Sequence, residues 1–165
     1  MLQPHSDSSA RVVRCGVVTV SDTRSPETDK SGQCIQDLLT AAGHEIGDYE
    51  VIKDNPEAIA KRLEILAHTD LEALIFSGGT GIAHRDNTYD MLEKHLEKTL
   101  PGFGEIFRSL SYQEIGSRAI ASRAVAGTYR GMILFSLPGS TGAVQLAMEK
   151  LILPELRHLV TQLRP

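Results

Sequence analysis

The chain has 165 residues, a formal net charge of −4 at pH 7, mixed charge overall and few aromatic residues. That length allows one domain with a proper core and is too short for two ordinary ones. The acidic balance argues against broad nonspecific nucleic-acid binding, so any anion site must be a local pocket and not a basic face.

Met1 to Ala10 is polar and reads as a loose tail, not a signal peptide, leaving 11–165 as a single α/β domain. The valine-rich run Val12 to Val20 predicts a first strand that ends in Ser21-Asp22-Thr23-Arg24. From Lys30, the apolar positions Ile35, Leu38, Leu39 and Ala42 fall at helical spacing, with Gly43 placed to end the helix. Ile46 to Ile52 reads as a second strand, followed by Asp54 and then by Asn55-Pro56, an N-cap with proline at the first helical position. Ile59, Leu63 and Leu66 form that helix's buried stripe, and Ala73 to Phe76 is a third strand. A helix near Tyr89 to Leu96 follows, then a helical stretch from Leu100 with Phe103, Phe107 and Leu110 toward the core, and a short helix around Ser117 to Ser122.

Ala124 to Tyr129 and Met132 to Ser136 read as a hairpin closed at Arg130-Gly131, which makes one of the two antiparallel to the rest. Val144, Met148, Leu151 and Ile152 continue as a helix that Pro154 kinks or restarts, with Leu156, Leu159, Val160 and Leu163 beyond it. The β-α-β-α-β-α order predicts a three-layer αβα fold around a mostly parallel sheet with one antiparallel strand. Cys15 and Cys34, with no CxxC and no nearby His pair, read as buried free thiols of a cytoplasmic protein. No apolar run is long enough to span a membrane.

The most informative stretch is Ser77-Gly78-Gly79-Thr80-Gly81, directly behind the third strand. Glycines there let a loop turn through positive φ and leave its amides uncovered for an anion. Arg85-Asp86-Asn87-Thr88 adds a cation, a carboxylate and a hydroxyl just before a helix, which favours a phosphorylated ligand over a purely geometric turn. Familiar signatures do not fit. Lys30-Ser31 lacks the P-loop glycines, His84 occupies the third glycine of a dinucleotide fingerprint, and Gly139-Ser140-Thr141-Gly142 has the wrong spacing for a nucleophile elbow. The turns Ser21 to Arg24, Ser77 to Gly81 and Pro138 to Ser140, with Asp54, follow strands and are expected to converge on the carboxyl edge of the sheet.

Several of these segments occur in the order and spacing of one known family. Ser77 to Gly81, Arg85 to Thr88, Leu100-Pro101-Gly102-Phe103-Gly104-Glu105 and Leu137-Pro138-Gly139-Ser140 resemble the MoaB/Mog family, molybdopterin-binding proteins of molybdenum-cofactor biosynthesis. Ser21 to Arg24, Thr28-Asp29-Lys30-Ser31-Gly32 and Leu110-Ser111-Tyr112 make the chain look most similar to the MoaB branch, from about Val12 onward. The resemblance implies a molybdopterin-binding fold and the transfer of AMP from MgATP to the molybdopterin phosphate, with pyrophosphate released. It implies catalytic and metal-holding roles for Asp54 and Asp86, and trimers or paired trimers that hand product to a metal-insertion protein. One departure is Thr141, where proline often follows the Leu-Pro-Gly-Ser turn.

The chemistry fits. Two polyanions must be joined, so Mg²⁺ held by one or two carboxylates and the substrate phosphates reduces their repulsion. Ser77, Gly78, Gly79, Thr80 and Gly81 are then expected to cradle phosphate, Pro138, Gly139 and Ser140 to form a second lip, and Ser21, Asp22 and Thr23 to touch the nucleotide. Alternatives stand beside these roles: helix capping for Asp86 and Thr88, a turn for Asp54 and Asp22, and holding Asp86 for Arg85. His84 reads as solvent-exposed or as a neighbour of the site and not as a metal ligand, and Glu105 either as a member of the site or as an ordinary exposed first-turn glutamate. A carrier that binds molybdopterin without turnover is the rival reading of the whole.

Overall fold

The structure, a computed structural model, describes residues 11–164. The expected tail at 1–10 lies outside the described residues. Strands β1 (Arg14–Val20), β2 (Glu45–Ile52), β3 (Ala73–Ser77), β4 (Lys98–Thr99), β5 (Val125–Tyr129) and β6 (Met132–Leu137) form one sheet in the order β2-β1-β3-β6-β5-β4. The pairs β1·β2, β1·β3 and β3·β6 are parallel, whereas β5 runs antiparallel to both β6 and β4. The antiparallel member of the predicted hairpin is therefore its first strand.

Strand parity divides the core. Val13, just ahead of β1, and Cys15 and Val17 within it, with Ile75, Ile133 and Phe135, face one side, where α1 (Lys30–Ala41), α4 (Pro101–Ile115), α5 (Thr141–Ala147) and α6 (Leu153–Gln162) cover them. Val18, Val20, Leu74, Phe76 and Leu134 face the other, against α2 (Pro56–Leu66) and α3 (Thr88–His95). The central strand β3 is buried throughout, which is why it reads as an uninterrupted apolar run.

Local chemistry accounts for most of the boundaries. The Asn55 side chain accepts a hydrogen bond from Ala58 N–H at 2.8 Å, and Pro56 occupies the first turn of α2. Asn55→Ala is expected to lower stability by about 1 kcal/mol, read as a fall of ~2–4 °C in the thermal midpoint. At the β5–β6 turn both central residues have positive φ, Arg130 at 44° and Gly131 at 80°, the mirror-image turn that matches strand twist.

Three expectations change, and one pair of alternatives is decided. Lys98–Thr99 adds a two-residue strand that pairs with Thr128 and Gly127, beyond the reach of any alternation pattern. The short helix expected at Ser117 to Ser122 is a 3-10 helix over Gly116–Ala121. Of the two alternatives at Pro154, the restarted helix is the one that forms. Pro154 lies in the first turn of α6, after a π-helical turn at Met148–Ile152 that joins α6 to α5. Of the two thiols only Cys15 is buried, and burial pushes its pKa up to about 12 while Cys34 stays half-exposed. Among the described residues no helix is long and apolar enough to cross a membrane.

Candidate functional site at the strand ends

The chain leaves β1 for β2 on one side and returns to place β3 on the other, so the sheet reverses direction of growth between β1 and β3. Crevices form at the carboxyl ends of strands at such a reversal. A cavity of about 190 Å³ lies there, bordered by Ser21, Asp22 and Thr23 after β1, Asp54 after β2, Gly79 after β3, and the Arg85–Asp86 turn. A wider depression of about 460 Å³ runs beside α1 from Pro26 to Leu38, but it is flanked by exposed helical side chains and includes no part of the glycine loop.

Close backbone approaches fasten the glycine loop behind the cavity. Gly78 N–H donates to Leu137 C=O at 3.0 Å, fastening the end of β3 to that of β6. A Cβ on Gly78, at φ 96°, would collide with the Val20 carbonyl, and one on Gly139 would lie 3.1 Å from Gly78 Cα. Gly79 has φ 62°, and its missing Cβ leaves room for Thr88 Oγ1 and for Asp54 Oδ2, which would lie 2.5 Å away. Among the described residues, the amides of Gly79, Thr80, Gly81 and Ile82 donate no hydrogen bond, so four successive donors stand open.

Asp54 bridges two loops. Its Oδ1 accepts from Asn87 N–H at 3.2 Å and from the Thr88 hydroxyl at 3.3 Å, and its own N–H donates to Asp22 Oδ1 at 3.1 Å. Burial raises its pKa above the ordinary carboxylate value, and the charges of Asp86 and Asp22 push the same way, opposed by the Asn87 and Thr88 hydrogen bonds. Asp86 does not cap α3. Its Oδ2 accepts from Ala83 N–H at 3.0 Å, and a Cβ on Gly81 would lie 2.5 Å from the same oxygen. Thr88 likewise serves Asp54 and not a helix end. Arg85 is exposed and lines the cavity, and its guanidinium makes no ion pair with a described residue.

Other expected residues fall elsewhere. The Ser77 hydroxyl is fully buried and pairs with Thr19 Oγ1 at 3.4 Å, inside the sheet rather than in the cavity. Thr80 is buried too. Ser21, not Asp22, forms the local turn, its hydroxyl accepting from Thr23 N–H at 3.3 Å and Arg24 N–H at 3.1 Å. Ser140 caps α5, accepting from Ala143 N–H at 3.3 Å. The Pro138–Ser140 turn touches the glycine loop through Gly139 but does not border the cavity. His84 is exposed, and Glu105 lies in a different crevice with Tyr89 and Arg108.

Sequence reasoning missed two supporting groups. The Gly139 carbonyl accepts from Ser31 Oγ at 2.7 Å and from Arg24 Nη1 at 3.2 Å, while buried Asp29 caps α1 at Gly32 N–H and accepts from Tyr49 OH at 2.8 Å. The N-cap rule would have found Asp29, a carboxylate just ahead of a helical pattern. Arg123, after the 3-10 helix, donates from Nε to Thr80 C=O at 2.9 Å and from Nη2 to Gly81 C=O at 2.8 Å. It also pairs with both oxygens of Asp90 at 3.0 Å and lies 4.4 Å from the Tyr89 ring centroid. No local pattern signals it.

Among the described residues no group of three or more His, Cys, Asp or Glu side chains could hold a metal ion alone. Magnesium needs no such cage, because it binds through one or two carboxylates and completes its shell with water and substrate phosphates. Asp54 and Asp86 meet that requirement. Burial is the main reason Asp54's proton affinity rises, the charges of Asp86 and Asp22 add to it, and a cation there would relieve both.

Comparison with known proteins finds shared sequence and shared fold. A family described as a probable molybdopterin binding domain matches residues 16–158. The chain is 50% identical over 167 aligned residues to molybdenum cofactor biosynthesis protein B of Bacillus subtilis strain 168, covering 99% of this chain and 97% of that one. Among solved structures, a molybdenum cofactor biosynthesis protein B superposes with a TM-score of 0.91 at 48% identity, over 94% of this chain and 98% of the other. The tungsten cofactor synthesizing protein MoaB from Pyrococcus furiosus gives 0.86 at 33% identity, over 95% and 100%. Shared sequence and shared fold over nearly the whole length make this chain a member of the MoaB/Mog family, with a role in molybdenum-cofactor biosynthesis.

Proposed function

We propose that the chain transfers AMP from MgATP to the terminal phosphate of molybdopterin. The observation that carries this reading is the meeting of Asp54 and Asp86, from distant segments, at one cavity bordered by Gly79 of the open-amide loop. A molybdopterin phosphate oxygen attacks the α-phosphorus of ATP. The bond from that phosphorus to the bridging oxygen breaks as the new one forms, and pyrophosphate leaves with the electron pair. The nucleophile is already an anion, so no side chain has to remove a proton.

The residues position and neutralise. The amides of Gly79 to Ile82 receive phosphate oxygens, Arg85 supplies positive charge at the rim, and Ser21 to Thr23 meet the nucleotide. Asp54 and Asp86 would hold magnesium together with substrate phosphates. When bound, that ion offsets phosphate charge and polarises the breaking bond. Exposed Ile106, Tyr112 and Ile115 along α4 support assembly into trimers or paired trimers, and hand-over of the product to a metal-insertion protein completes the proposed role.

The test is AMP incorporation into molybdopterin, followed by chromatography. Product should form only with MgATP and molybdopterin together, and stop on chelation of the metal. Tight molybdopterin binding with no adenylylated product would instead identify a carrier.

A further inference from the structure

We propose that Arg123 is the positioning residue that holds the phosphate cradle open, an inference that rests on the glycine loop being the phosphate site. Its guanidinium takes the carbonyls of Thr80 and Gly81, two successive peptide units, at 2.9 and 2.8 Å. Every peptide bond described is trans. In a trans peptide the C=O and the following N–H point in opposite directions. Drawing both carbonyls toward Arg123 therefore turns the Gly81 and Ile82 amides away from it, and these are two of the four amides without a partner. Two successive amides facing one way form a concavity suited to an anion.

Arg123 is itself fixed on two further sides. Asp90 in the first turn of α3 grips it through two parallel hydrogen bonds, and the Tyr89 ring lies beneath it. A planar fork with five donors can serve both carbonyls and a carboxylate at once, whereas a lysine ammonium cannot match that geometry. Arg123 touches no part of the cavity beside Asp54 and Asp86, so its effect on ligand passes through the loop backbone.

Amide spectra of the full ¹⁵N-labelled chain, titrated with inorganic pyrophosphate, test this directly. In the parent, Gly81 and Ile82 amides should shift on binding. Arg123→Ala should weaken pyrophosphate binding roughly 10- to 100-fold, the effect of charge-assisted hydrogen bonds lost from a positioning group. Arg123→Lys should recover only part of that, and added guanidinium should restore binding to the alanine variant. In AMP transfer, KM for MgATP should rise far more than kcat falls. Pyrophosphate shifts at Gly81 and Ile82 in the parent with unchanged affinity in Arg123→Ala would overturn the role of Arg123 alone. Absence of those shifts in the parent would overturn the phosphate site itself, and the cradle with it. Should Arg123→Ala not fold, Asp90→Asn, which loosens the same grip, decides: affinity within twofold of the parent refutes the proposal.

Discussion

Gly79→Val will lose both ligand binding and a large part of its stability. Valine at φ 62° is strained, because a branched Cβ crowds the backbone in the left-handed region. The same Cβ would overlap Thr88 Oγ1 and press on Asp54 Oδ2, so the Asp54–Thr88 contact must open. Strain and clash together should cost roughly 3 kcal/mol or more, a midpoint fall of ~6–12 °C. Gly131→Val is the control, since Gly131 also has positive φ but has open space where its Cβ would go. Calorimetry should find pyrophosphate and ATP binding intact in the control and absent in Gly79→Val. Equal loss of stability in the two variants, with binding retained in both, would remove Gly79 from the site.

The second large effect belongs to the paired carboxylates. Asp54→Asn and Asp86→Asn should each lower AMP transfer by roughly 10²–10³-fold, the scale of removing one preorganised electrostatic group. The double variant should be hardly worse than either single one, because groups that act as a unit are not lost twice. Single-turnover rates that multiply would assign them independent tasks. Stability should move the other way for Asp54→Asn. Burial, with the charges of Asp86 and Asp22, raises this carboxyl's pKa in the fold. A group so raised stabilises the folded state while protonated, and that contribution is lost as pH rises through the folded pKa. At pH 8 the asparagine variant should therefore melt higher than the parent, with the gap closing toward acid. A lower midpoint at pH 8 would show that the Asn87 and Thr88 hydrogen bonds outweigh the charge.

What could be read from sequence was whatever repeats locally. The valine run of β1, the stripe Ile59, Leu63 and Leu66, the Asn55-Pro56 start and the Arg130-Gly131 turn each carry their cause within a few residues. The cavity's members were legible for a related reason, since each follows a recognisable strand and strand ends share an edge. What stayed hidden depends on contacts across long separations. Arg123 reaches Thr80 from 43 positions away, and Ser31 reaches Gly139 from 108. Ser77 was misdirected by one step of strand parity, because its hydroxyl faces Thr19 and the side covered by α1. Lys98–Thr99 is too short for alternation, and it forms because β5 presents an edge for it to pair with.

The backbone packing behind the cavity has a thermodynamic consequence. Where Gly78 meets Val20 and Gly139 meets Gly78, main chain lies on main chain with no side chain between. Such a surface has no rotamers to freeze. A phosphate bound at the loop it supports would order little of the protein behind, and the entropy lost on binding would fall on the exposed rim, above all on Arg85. Trimming that rim should alter the enthalpy and entropy of binding in opposite directions while affinity changes little, whereas any atom added to the backbone packing behind the loop should act on affinity itself.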